Sequence, residues 1–86
     1  MEFAIDVISP VHVHVQLANH LRAAIEAGDI TGVFPSLWQI VNDTRFRDDP
    51  DKRVAYNTVR RAVKILKDEG LVIAVPGRGT FVRRPS

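Results

Sequence analysis

Apolar and polar positions alternate from the start of the chain, with Phe3, Ile5 and Val7 on one side and Glu2, Ala4 and Asp6 on the other. A period of two predicts a half-buried strand over Phe3 to Val7, and Pro10 ends it. Helical spacing then takes over. Val13, Leu17, Leu21, Ala24 and Ile25 form one stripe, and Gly28 stands where a helix C-terminus takes a left-handed residue, which predicts a first helix over about Val13 to Ala27. Asp29 to Pro35, with Gly32 and Pro35, is expected as a loop. Ser36 followed three residues later by Gln39 has the spacing of a capping box, so a second helix begins there with Leu37, Ile40 and Val41 facing inward.

Thr44 to Arg53 is polar and contains Asp48, Asp49 and Pro50, a composition that predicts a loop or a short extra turn. Asp49 as N-cap with Pro50 in the first helical position is one way to start the next helix. The apolar register becomes firm only around Ala55, and a start there is favoured. From that point Val59, Ala62, Val63 and Leu66 keep the i, i+3, i+4, i+7 spacing and Gly70 ends the third helix. Leu71 to Val75 and Thr80 to Val82 are β-prone on either side of Pro76 to Gly79, which predicts a hairpin with its tip at the glycines. The expected class is α+β, a winged helix-turn-helix of three helices and a C-terminal β-hairpin wing with a short N-terminal strand. Arg83 to Ser86 is expected as a frayed tail or the start of a linker.

Eighty-six residues hold one small domain, expected to span residues 1–86 with no effector domain beside it. The absence of cysteine removes disulfides, thiolate metal sites and cysteine nucleophiles. No apolar run has the length of a membrane span, and Glu2 and Asp6 interrupt the place of a signal peptide, so a soluble cytoplasmic chain with no membrane partner is expected. The net charge of +2 conceals a division. Residues 1–51 carry three basic and eight acidic side chains, a charge of −5, whereas residues 52–86 carry nine and two, a charge of +7. The second part is therefore the one suited to phosphate.

The third helix presents Asn57, Thr58, Arg60, Arg61, Lys64 and Lys67 opposite its apolar stripe. Guanidinium forks bond guanine edges or grip phosphates, and asparagine pairs with adenine, so its first turns hold chemistry for reading a major groove. Taken alone, such a face is equally well a solvated surface. The preceding capped helix and the following hairpin, whose tip carries Gly77, Arg78 and Gly79, give it the setting of a helix-turn-helix with a wing. Arg78 is placed to enter a minor groove or to lie along phosphates, although a tight turn also accounts for the glycines.

The run YNTVRRAVKILKDEGLVIAVPGRGTFV, with QLANHLRAAIEAGDI and FPS upstream, resembles the N-terminal domain of GntR-type bacterial transcription regulators over about Val13 to Val82. The matching signatures are Leu21, Arg22, Ile25 and Gly28, then Pro35 and Ser36, then Thr58 to Ala62, Leu66 to Leu71 and Gly77 to Val82. The resemblance implies sequence-specific DNA binding, typically as a repressor. Tyr56, Asn57, Thr58 and Arg60 would then lie in the major groove, Gly77 and Arg78 near the minor groove, and Ser36 near a phosphate. The full set of expected DNA-contacting residues is Ser36, Lys52, Arg53, Tyr56, Asn57, Thr58, Arg60, Arg61, Lys64, Gly77, Arg78 and Thr80. No cofactor is implied. Two copies of the chain are expected on double-stranded DNA, at a pseudo-palindromic operator, because one such helix contacts too few base pairs to be selective.

The chain departs from the family pattern in several places. Ala55 and Tyr56 stand where many members have Ser-Arg, and Tyr56 is left to stack or to bond phosphate. Trp38 replaces an arginine in the first turn of the second helix and is expected in packing or at a partner surface. The connection between helices two and three is about eight residues longer than the family's tight turn. It either delivers Arg45, Arg47, Lys52 and Arg53 to flanking phosphates or neutralises them with Asp48, Asp49 and Asp51. Ile73 and Val75 are apolar where the family is commonly polar, and are expected under the N-terminal strand or in a dimer contact.

His12, His14 and His20 suggest a metal site, but His12 and His14 are expected to point to different sides, and no carboxylate joins them at a useful spacing. No nucleophile and base occur at a recognisable spacing and no phosphate-binding loop is present, so an enzyme is not expected. The alternative function is a winged helix used for protein contact in a phage or plasmid accessory protein, favoured by the missing arginines and the apolar wing.

Overall fold

The computed structural model describes residues 1–83. The elements follow in the order β1 (Phe3–Ile5), α1 (Val13–Glu26), α2 (Leu37–Asp43), β2 (Thr44–Phe46), α3 (Tyr56–Asp68), β3 (Val72–Val75) and β4 (Gly79–Val82). This is the expected α+β class, three helices with a C-terminal antiparallel strand pair, consistent with a winged helix. Arg84 to Ser86, placed by the sequence in a frayed tail or linker, lie outside the described residues.

The helical stripes become the core. Leu17, Ala18, Leu21 and Ala24 of α1 are buried against Val59, Ala62, Val63 and Leu66 of α3, and Ile40 and Val41 bring α2 onto the same helix. Both long helices stop by the same device. The Gly28 amide donates to Ile25 and that of Asp29 to Ala24, while Gly70 donates to Lys67 and Leu71 to Leu66. These paired 5→2 and 6→1 bonds satisfy the last carbonyls and turn the chain through a glycine at positive φ. Between α1 and α3 the Arg22 guanidinium forks onto Glu69, with Nε and Nη2 donating at 2.8 and 2.7 Å.

The segment predicted as a loop or extra turn instead begins with a strand. Thr44, Arg45 and Phe46 pair in parallel with Phe3, Ala4 and Ile5, with α1 and α2 as the crossover between them. Phe3, Ile5, Thr44 and Phe46 are buried on the inward face. The remainder of the connection turns through Asp49 and Lys52, whose amides donate to Phe46 and Asp49 respectively. Ala55 then caps α3, its carbonyl accepting from Thr58 and Val59, as the apolar register indicates.

Two further expectations are corrected. The N-terminal strand is three residues long and Val7 is exposed. It does not cover the wing: it pairs with β2 in a sheet separate from β3 and β4, and Ile73 is left 43% exposed. The wing receives a third partner from elsewhere. Val33, between α1 and α2, bridges Phe81, with Phe34 donating to Thr80 at 2.8 Å and Val82 donating to Gly32 at 2.8 Å. Among the described residues, no helix is long and apolar enough to cross a membrane.

Candidate nucleic-acid interface

Burying one side of α3 in the core turns the other side outward. Asn57, Arg60, Arg61, Lys64 and Lys67 are exposed, Thr58 and Tyr56 are partly buried. Lys64 donates to Asp68 one turn later at 3.0 Å. Arg60, Arg61 and Lys67 form no ion pair among the described residues. An open groove is lined by Leu37 from α2 together with Asn57, Arg60, Arg61, Val63, Lys64 and Lys67 from α3. It is a concave strip that combines fork donors, one amide and ammonium groups, and its charge favours a polyanion.

Ser36 occupies the N-cap of α2, and its Oγ accepts from the Gln39 amide at 3.1 Å. No return bond from the Gln39 side chain to Ser36 is formed among the described residues, so the capping box is half made. Trp38, in the first turn of the same helix, is 62% exposed. Its ring lies 4.7 Å from that of Tyr56, centroid to centroid, with the planes inclined at 32°. No local pattern indicates this pairing, which joins the start of α2 to the start of α3 across a connection of twelve residues.

The wing tip is built by Pro76 and Gly77. Arg78 donates from its amide to Val75 at 3.0 Å, and Gly77 has φ +75°, the Pro-Gly order of a type II turn. Arg78 is exposed at the tip and is in no ion pair among the described residues. Thr80 is partly buried one residue pair behind the tip, where its carbonyl accepts from Phe34.

The cations of the connection are divided. Arg47 pairs with Asp6 at 3.1 Å, Arg45 bonds the carbonyls of Asn42 and Thr44, and Arg53 bonds the carbonyl of Pro50 at 2.9 Å. Lys52 holds its ammonium 5.4 Å from the Phe46 ring centroid. Asp48, Asp49 and Asp51 form no ion pair with any of them among the described residues.

The histidines depart from expectation. His12 and His14 do not point to different sides: their rings stack at 5.8 Å with planes 17° apart. His12 caps α1 from outside the helix with ψ 146°, which swings its ring alongside His14. Partial burial holds the His14 ring below the usual histidine range, helped by repulsion from Arg61 and His12. His20 is separate, its Nε2 lying 2.7 Å from the Ala4 carbonyl oxygen. Among the described residues there is no group of three histidine, cysteine or acidic side chains that could hold a metal.

No protein-family model matches the chain. It is similar to the HTH-type transcriptional repressor NagR of Bacillus subtilis, with 29% identity over 77 residues that cover 90% of this chain. It is also similar to an uncharacterized HTH-type transcriptional regulator of Rhizobium meliloti, with 38% identity over 71 residues and 80% of this chain. The chain spans 29% and 26% of the lengths of these two proteins. Over most of its length, this chain is thus similar to proteins named for helix-turn-helix transcriptional regulation.

Proposed function

We propose that this chain is the DNA-reading part of a GntR-type transcription regulator, with α3 in the major groove and the wing tip in the adjoining minor groove. The observation that carries it is the pair of exposed guanidinium groups on Arg60 and Arg61, beside Asn57 and free of carboxylate partners among the described residues, on a helix whose other face is core. Similarity to named regulators supports it.

In this reading Asn57 and Arg60 contact base edges, Asn57 suiting adenine and Arg60 guanine. Arg61, Lys64, Lys52 and Arg53 hold phosphates and Ser36 lies against the backbone, while Thr58 and Tyr56 flank the reading residues. Gly77, Arg78 and Thr80 bring the wing to the minor groove, where a narrow A·T tract attracts a guanidinium. Thirteen residues at about 1.5 Å each make α3 roughly 20 Å long, enough for one half-site and too little for a whole operator. Two copies on a pseudo-palindrome supply the selectivity, and occupying a promoter represses it.

Salt titration of binding to a random duplex tests the proposal. Each neutralised phosphate contributes roughly −0.9 to the slope of log affinity against log salt, so a steep decline is expected. Absence of duplex binding in dilute buffer defeats it. It would leave the protein-contact reading, which is favoured by the exposure of Trp38 and Ile73.

A further inference from the structure

The Trp38–Tyr56 pair stands at the place where the presented surfaces of α2 and α3 begin. Trp38 follows Leu37, and Tyr56 precedes Asn57, both of which line the basic groove. Tyr56 packs partly against the core and fixes the pair, while Trp38 remains largely in solvent. A large ring held in water next to a strip in which Arg60, Arg61 and Lys67 form no ion pair among the described residues is poorly explained by packing, because most of its apolar surface gains little from the fold. The strip itself has a fork for guanine in Arg60 and an amide for adenine in Asn57. Its own apolar groups are not fully presented to the one apolar feature of the major groove, the thymine C5-methyl: Leu37 and the Thr58 side chain are partly buried and Val63 is buried, whereas Trp38 is exposed.

We infer that the Trp38–Tyr56 pair is a specificity element that recognises thymine in the major groove by contact with its C5-methyl group. This rests on the DNA-reading function proposed above. The contact is apolar and shape-based, with the Tyr56 ring setting the angle at which Trp38 meets the base edge. Nothing covalent is involved, and the occupant is duplex DNA, selected by the cations that continue the same surface.

Trp38 is the only tryptophan in the chain, so its fluorescence reports the contact directly. A duplex selected from a random pool is titrated with the protein, first unmodified and then with single thymines replaced by uracil, which keeps the base-pairing edge and removes the methyl. The expected result is altered Trp38 emission on saturation, and binding weakened about fourfold at one or two thymines per half-site, the size of one lost methyl burial. Trp38→Ala, at an exposed position, is expected to fold normally and to become indifferent to uracil there. Uracil without effect at every position, unchanged Trp38 emission, or a Trp38→Ala protein that stays equally uracil-sensitive each overturns the inference. DNA reading itself stands in those cases if Arg60→Ala still weakens binding to the selected duplex. A wild-type protein that binds no duplex in dilute buffer removes both.

Discussion

The Thr44 hydroxyl, fully buried, donates to the Val41 carbonyl at 2.7 Å and accepts the Val54 amide at 2.9 Å. One oxygen thereby fastens the end of α2 to the segment that enters α3. The Val54 amide, which the long connection would otherwise strand in the core, is satisfied, and the Val41 carbonyl, already accepting the Thr44 amide, takes a second bond.

Thr44→Val keeps the shape and removes both bonds. The Val54 amide is left buried without a partner, while the Val41 carbonyl keeps the bond from the residue 44 amide, and the expected loss is about 1–3 kcal/mol, read from urea denaturation. Thr44→Ser retains the hydroxyl and is expected to lose less. Equal stability of the valine variant and the wild type would show that the clip contributes nothing.

This clip and the strand beside it mark the limit of what the sequence disclosed. Val59, Ala62, Val63 and Leu66 repeat over two turns on one face of the helix, so α3 is legible locally, as are the two helix-ending glycines and the Pro76-Gly77 turn. Thr44 to Phe46 is only three residues long, and its partner lies some forty positions earlier. A period of two cannot be distinguished over so short a run, and the adjacent aspartates dominate the composition. With that partner unseen, a strand over Phe3 to Val7 remains free to lie over Ile73 and Val75, the alternative to a dimer contact there. His12 belongs to neither helix nor strand, so neither periodicity describes where its ring points. The basic face was legible from its spacing, whereas the Trp38–Tyr56 contact depends on how the long connection folds back, which no local pattern encodes.

Ile5 is fully buried although β1 has only three residues. Ile5→Ala is expected to cost about 2–5 kcal/mol, comparable to a helix-core truncation, measured by the shift in denaturation midpoint. A loss below about 1 kcal/mol would mean that the β1–β2 pair is dispensable to the core.

Glu69 accepts both nitrogens of the Arg22 fork, and that hydrogen bonding, aided by the Arg22 charge and opposed by slight desolvation, holds its carboxyl below the usual glutamate range. The folded chain thus binds this proton less readily than the unfolded chain. The pair's contribution is present above the ordinary glutamate value of about 4.3 and is lost as pH falls through the lower folded value. The stability gap between wild type and Glu69→Gln is expected to close on acidification across that window and to narrow in high salt, because both groups are partly in solvent. A gap that widens towards acid contradicts the assignment.

Arg60→Ala is expected to weaken binding to a selected duplex by about 1–3 kcal/mol and to relax preference at one base pair, the signature of a lost bidentate base contact. Competition against single-base variants provides the measurement. A uniform loss on all sequences would assign Arg60 to phosphate instead.

Gly77 has φ +75° and open space where a Cβ would stand. Gly77→Ala therefore meets no clash, and its cost is conformational, about 1–2 kcal/mol. Thermal melting together with duplex affinity will show whether the altered tip costs binding beyond its effect on stability.

Because Val33 bridges Phe81 and the Phe34 amide donates to Thr80, the bracing of β4 runs to within one residue pair of the Val75–Gly79 end, and the Arg83–Leu71 bond continues the strand ladder at the other end. Only the Pro76–Gly77–Arg78 turn overhangs this support. The guanidinium of Arg78 is thus carried on a short projection from a braced hairpin, not on a long free loop.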